Sequence, residues 1–169
     1  GRERGVRIAD VRTGTGFAFT VHVDRGLDVG AAEFCGQALA WRSAAGVVGP
    51  AYYEPEGTAW VKGFPGGLLT TCGLSMAGAP TVDEGQPLGL HGPISYAPAA
   101  DVHATGRWCG DEYDISIQGR VREGHLFGPK LELERRIWTR LGESRLTVED
   151  RVTNLGGERT PFMIIYHCN

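Results

Sequence analysis

Apolar residues recur at every second position in four separate stretches of this chain. "FAFTVHV" alternates from Phe17 to Val23. "EYDISIQGRV" sets Tyr113, Ile115, Ile117 and Val121 on one face, and "KLELERRIW" groups Leu131, Leu133 and Ile137. "SRLTVEDRVTN" does the same for Leu146, Val148 and Val152. A period of two belongs to the half-buried antiparallel strand, whose successive side chains point to opposite faces. No long stretch carries a helical period, and 26 glycines punctuate the short segments. Short strands divided by turn signals predict an all-β sandwich or barrel. With no repeat, low-complexity tract or linker, residues 1–169 read as belonging to one domain.

One hairpin has a predictable register. In "RLGESR", Gly142-Glu143 suits a two-residue type II′ turn, which takes glycine first. Pairing Leu141 with Ser144 sets Ile137 opposite Val148, Leu133 opposite Val152 and Arg135 opposite Asp150. Arg135 and Asp150 both occupy the apolar phase of their strands. A buried charge is costly unless paired, so their juxtaposition supports the register. The pair reads as a cross-strand ion pair or as a ligand contact.

Residues 44–100 break the pattern. "GPAYYEPEGTAWVKGFPGGLLTTCGL" and "LGLHGPISYAPAA" are rich in Gly, Pro and aromatics, and a long irregular stretch inside a compact domain is usually functional. His91 precedes Gly92-Pro93, where the backbone must turn and where glycine permits close approach. At the other end, "PFMIIYHCN" reads as a core strand, with His167 sharing a face with Met163 and Ile165. Taken locally, each histidine fits a structural role as well as a chemical one. His22, His103 and His125 lie on or beside strands with no local mark. In "DRGLDVG", Arg25 and Asp28 flank Gly26 either as a self-stapled turn or as a guanidinium forking onto ligand hydroxyls. Glu54 and Glu56 beside Tyr52, Tyr53 and Trp60 suit either a solvated loop or a sugar-binding surface.

Composition narrows the function classes. Seventeen basic and twenty acidic side chains give a net charge of -3, and no Lys/Arg block offers a nucleic-acid footprint. Apolar runs fall far short of the roughly 20 residues that span a bilayer, and no signal-peptide pattern opens the chain. Cys35, Cys72, Cys109 and Cys168 form no CxxC pair, which argues against a zinc site or a secreted disulfide framework. Reduced thiols and a cytoplasmic location are expected. The "GTG" near Thr15 lacks dinucleotide-binding spacing, and no cofactor or metal is expected. A start at Gly1 and an apolar end at Asn169 suggest that further residues belong to the domain.

The blocks "DRGLDVG", "GQALAWRS", "LLTTCGL", "LGLHGPIS", "GRVREGHLFG" and "VTNLGGERTPFMIIYHCN", in this order, resemble the DUF4432 family, which is related to the aldose 1-epimerases (galactose mutarotases). The resemblance implies the galactose mutarotase-like supersandwich, a large antiparallel β-sandwich of roughly twice this length, here as its incomplete N-terminal part. It also implies a carbohydrate isomerase that interconverts anomers by acid/base ring opening. His91-Gly92 matches the first family histidine and His167 in "YHCN" the second, with His167 as general acid and His91 as its hydrogen-bonding partner. The catalytic carboxylate is expected from the missing C-terminal half, since Glu123 comes too early in the order. Arg25, Asp28, Glu54, Trp60 and Asn169 are expected to bind the sugar.

Two departures qualify the resemblance. Pro93-Ile94-Ser95 replaces the arginine that follows the first histidine in sugar-phosphate mutarotases, which speaks against a phosphorylated substrate. Phe162 stands where, by the resemblance, DUF4432 relatives often carry a histidine. Two rival functions remain: a carbohydrate-binding module without catalysis, and a metal-dependent sugar isomerase or lyase using His91, His167 and a glutamate as ligands. Half a sandwich also predicts unpaired strand edges and uncovered apolar faces.

Overall fold

The computed structural model describes residues 1–169 and contains twelve strands. A first sheet orders β1 (Ile8–Arg12), β2 (Phe17–His22), β3 (Asp28–Phe34) and β4 (Gln37–Ala38) as a meander. β5 (Thr70–Leu74) follows a long loop with short 3-10 turns, and β6 (Thr81–Asp83) pairs with β7 (Gln86–Leu88) as a small hairpin. A second meander holds β8 (Ala100–Cys109), β9 (Glu112–Gly124), β10 (Lys130–Arg140) and β11 (Thr147–Asn154). The last strand, β12 (Met163–His167), returns across the chain to pair with β5. All pairings are antiparallel.

The period-two faces are what join the two large sheets. Phe17, Phe19 and Val21 from β2 meet Ile117 and Val121 from β9 and Leu131, Leu133 and Ile137 from β10 in one core. This is an antiparallel β-sandwich, as the alternation predicts, and its sheets do not close into a barrel. Phe162, Met163, Ile165 and Tyr166, on β12 and its approach, are exposed, as are Phe127, Leu126, Trp108 and Val82 elsewhere on the surface. No helix is long and apolar enough to cross a membrane.

The hairpin register holds residue for residue: Ile137 faces Val148, Leu133 faces Val152 and Arg135 faces Asp150. The turn differs. Glu143 N–H donates to the Arg140 carbonyl, so Leu141 and Gly142 are the central residues, one position earlier than the type II′ expectation. Gly142, at φ +87°, supplies the left-handed third position of this turn,. Its N–H bonds to the Thr13 carbonyl across the sandwich at 2.7 Å, which anchors the glycine there.

Arg135 is fully buried, and it is the joint between sheets. It donates to both Asp150 oxygens from Nε and Nη2 at 2.8 and 2.7 Å. Its Nη1 reaches Asp28 Oδ1 at 2.8 Å and the Gly26 carbonyl at 3.2 Å in the first sheet. Asp28 in turn accepts from Thr71 N–H and Oγ1 on β5. Burial opposes the guanidinium charge, but Asp150 and Asp28 more than offset it and hold the group protonated.

On the outer face of the first sheet, His22 is also buried, for a different reason. Its ring lies over Gly30 so closely that a Cβ there would stand 2.2 Å from Nε2. Burial, then the nearby Arg25 and Arg42 charges, lower its pKa from 6.5 to about 4, with Glu3 opposing.

Two predictions follow from these buried groups. Arg135→Ala strands two interior carboxylates and should lower the unfolding free energy by about 3–5 kcal/mol. The exposed pair of Arg136 with Glu149 should contribute under about 1 kcal/mol, so urea midpoints of Arg135→Ala and Arg136→Ala separate the two cases. For His22, the unfolded chain takes up a proton near pH 6.5 while the folded chain resists until about 4. Stability should therefore fall as pH drops through that window, by roughly 3 kcal/mol from this one group. His22→Gln should flatten that part of the pH profile.

Candidate functional site

His91 and His167 are separated by most of the middle of the chain, and β5 brings them together. His167 is opposite Thr70 in the β5–β12 ladder. His91 is tied to the same strand, its carbonyl accepting from Gly73 N–H at 2.9 Å. The two rings stand 6.3 Å apart between centroids and nearly perpendicular, at 83°. Both are half-buried.

The His91 backbone is held in the left-handed region at φ +60°, which costs a non-glycine residue about 1–3 kcal/mol and persists only where surroundings enforce it. Those surroundings are visible. His91 N–H donates to the Gly78 carbonyl at 3.0 Å, and the Gly78 N–H donates to His91 Nδ1 at 3.3 Å. With Nδ1 an acceptor, the neutral imidazole carries its proton on Nε2. Gly92 is required by crowding: a Cβ would come within 2.6 Å of the Gly73 carbonyl and 2.5 Å of the Met76 carbonyl. The close approach expected at this glycine is thus made by the chain's own backbone. Burial first, then the His167 charge, lower the His91 pKa.

An aromatic wall supports the pair. Trp60 meets His91 edge-on at 4.9 Å and stacks with Phe64 at 4.9 Å, while Phe64 lies 5.1 Å from His167. Trp60 is itself fixed, donating from Nε1 to Ser95 Oγ at 3.0 Å and accepting the Tyr96 hydroxyl at its carbonyl at 2.7 Å. Sequence pattern marked Trp60 but not Phe64, Tyr96 or Gly78. "GFPGG" carried the only signal for Phe64, an aromatic set among chain-turning residues. Nothing local marks Gly78.

The remaining expected sugar-binding residues fall elsewhere. Arg25 is buried, and all three of its guanidinium nitrogens donate to backbone carbonyls, of Ser95, Val48 and Gly63. Burial lowers its pKa, opposed by Tyr96 and Asp28. Its guanidinium carbon lies 3.9 Å from the Tyr96 ring centroid. The direct hydroxyl contact expected of Arg25 is therefore corrected to a support beneath the aromatic wall. Asp28 is likewise corrected: its oxygens are occupied by Thr71 and Arg135. Glu54 is exposed and pairs with Lys62. Asn169 secures the end of β12, donating from Nδ2 to the Gly67 carbonyl at 2.9 Å and accepting from Trp41 N–H.

Glu123 is buried on β9 and accepts from Leu74 N–H, Ser75 N–H and Ser75 Oγ, so it caps the end of β5 from the second sheet. It works as an anchor. No cluster of three or more His, Cys, Asp or Glu side chains gathers at the histidines or elsewhere. Surface cavities of about 220, 660, 270 and 320 Å³ are all lined by other residues.

Comparison with known proteins bears on the fold and the family. A crystal structure from Klebsiella pneumoniae subsp. pneumoniae MGH 78578, described as a "putative aldose 1-epimerase", matches with a TM-score of 0.91 and 27% sequence identity. The match covers 99% of this chain and 44% of that one, so the chain spans less than half the relative's length. No curated protein matches. The family described as a domain of unknown function, DUF4432, matches residues 3–169, and the chain belongs to that family.

Proposed function

We propose that this chain contributes the histidine pair of a carbohydrate isomerase of the aldose 1-epimerase type. The observation that carries the reading is the convergence of His91 and His167, 6.3 Å apart, against a wall of Trp60 and Phe64. Trp60 is buried, so its expected sugar contact is corrected to a support behind the half-buried Phe64 ring. The Phe64 face suits the apolar face of a sugar, and imidazole exchanges protons near neutral pH.

Anomer exchange opens a hemiacetal. A base takes the proton of the C1 hydroxyl, an acid protonates the ring oxygen, and the C1–ring oxygen bond breaks to leave an aldehyde. Rotation about the C1–C2 bond and closure on the other face give the second anomer. His167 serves as the acid at the ring oxygen. His91, whose Nδ1 is occupied by Gly78 N–H, directs an Nε2 proton outward as a donor that orients the same oxygen. Burial, then His167, hold the His91 pKa below the ordinary imidazole value, which favours this neutral donor form. The base is a carboxylate outside residues 1–169, and the wall facing the aromatic side comes from the same part of the protein. The substrate is an unphosphorylated sugar, in keeping with Pro93-Ile94-Ser95 after His91-Gly92.

Paired acid and base groups contribute about 10²–10⁴-fold each. In the full-length protein, His167→Ala should therefore slow anomer exchange by at least about 10²-fold, followed by polarimetry on freshly dissolved α-glucose or α-galactose. Wild-type rates in that variant would end the proposal, and saturable sugar binding without turnover in the parent would favour a binding module. The histidines also predict an NMR signature. His91 should titrate below 6.5, and His167→Gln should raise its midpoint without restoring 6.5, because burial is the larger of its two causes. An unchanged midpoint would separate the rings electrostatically.

A further inference from the structure

The outer face of the first sheet holds a cavity of about 320 Å³ that shares no lining residue with the histidine pair. Its polar groups are His22, Arg42, Thr20 and Glu3, and its walls include Val6 and Pro65. Two of these groups lack partners within the protein. His22 is 6% exposed, yet neither ring nitrogen makes a hydrogen bond. No fully enclosed side-chain polar atom in the chain is unsatisfied, so the nitrogens of His22 open into the cavity. Arg42 is held by its backbone bridge to Gly66, while its guanidinium enters no ion pair.

Gly30 shows that this seat is built. Its backbone is not left-handed, so glycine is not needed for conformation. It is needed for room, because any Cβ would collide with the His22 ring. Glycine inside a strand costs about 0.5–1 kcal/mol relative to alanine, and here it makes room for an imidazole whose nitrogens have no partner within the protein. The larger, 660 Å³ cavity on the second sheet differs in this respect, since its charges pair with one another, as Arg120 does with Glu134 and Arg136 with Glu149.

We propose that this cavity is a second small-molecule site, which takes the carboxylate of a small sugar acid on Arg42 with the His22 imidazole as hydrogen-bond donor. The planar guanidinium matches a carboxylate in two parallel hydrogen bonds. Thr20 donates its hydroxyl proton to Asp10 at 2.7 Å, which leaves its oxygen free to accept from a ligand hydroxyl. The Glu3 carboxylate accepts from Val47 N–H at 3.1 Å and offers a second acceptor at the rim. One cation with hydroxyl acceptors around it selects a singly charged polyol acid over a neutral sugar or a dianion. The volume lies at the lower end of ordinary ligand pockets, about 300–1,000 Å³.

The test is an NMR titration of the full-length protein with D-gluconate, reading the Gly30 and Ala31 amides, with D-glucose and inorganic phosphate as comparison ligands. Saturable gluconate shifts at these amides are expected, with none from D-glucose. Arg42→Gln, an exposed change that leaves the core alone, should weaken binding at least about tenfold, the equivalent of 1.4 kcal/mol. His167→Ala should leave the gluconate affinity unchanged. Absence of saturable shifts, equal affinity in Arg42→Gln, or loss in His167→Ala with Arg42→Gln intact would each overturn the proposal. Phosphate binding in place of gluconate would overturn the assigned ligand class.

Discussion

A single interior cation holds three sheets in register. Arg135 enters from the second meander, grips Asp150 beside it, and crosses the core to Asp28 and the Gly26 carbonyl in the first. Asp28 passes the connection to Thr71 on β5. Asp150 passes it to the Tyr166 hydroxyl on β12 at 2.7 Å. Apolar burial is non-directional and would tolerate the sheets sliding over one another. A guanidinium with fixed donor directions does not. Ion pairs of this kind often add little net stability compared with a well-packed apolar core. Here the consequence is geometric: Tyr166 precedes His167 and Thr71 follows the residue opposite it, so the same charge sets where the imidazole stands.

The rest of the site is positioned by capping rather than by regular structure. β5 is short and every residue of it is buried, so its ends need partners that water would otherwise supply. Glu123 supplies them at Leu74 and Ser75, and the turn around His91 supplies another through Gly73. Arg25 plays the matching part on the loop side, closing off three carbonyls and lying under Tyr96. The aromatic wall and the left-handed His91 therefore rest on buried polar groups that a hydrophobicity pattern treats as exceptions.

This explains which features were legible in the sequence. The strands of both meanders were visible because each buries one face, and that face repeats every second residue. The β10–β11 register was visible because its evidence is local, a glycine turn and two charges in the apolar phase. The turn itself was placed one residue off, because Gly142 answers to Thr13, which lies across the sandwich. Asp28 and Arg25 were misjudged for a similar reason. Asp28 meets an arginine 107 positions away, and Arg25 meets carbonyls 23 to 70 positions away. "DRGLDVG" contains no trace of those partners. The two histidines were placed together by resemblance and not by periodicity, since each alone fits an ordinary core or turn. Phe64 and Tyr96 sit in a stretch with no period, where nothing distinguishes a wall from a loop.

The strand that carries His167 is also the least enclosed of the elements at the site. β12 pairs on one side only, with β5, and Met163, Ile165 and Tyr166 remain exposed. A two-stranded ladder is marginal on its own, and an uncovered apolar edge strand invites further pairing. Within this chain β12 is restrained by three polar tethers, from Tyr166 to Asp150, from Asn169 to Gly67 and from Trp41 to Asn169. These fix its direction but leave its outer edge without a neighbouring strand. Proton transfer depends on donor–acceptor separations of about 2.6–3.2 Å, so the placement of β12 bears directly on the chemistry proposed for His167. The same exposed edge thus carries both the apolar side chains of β12 and the histidine for which acid chemistry is proposed.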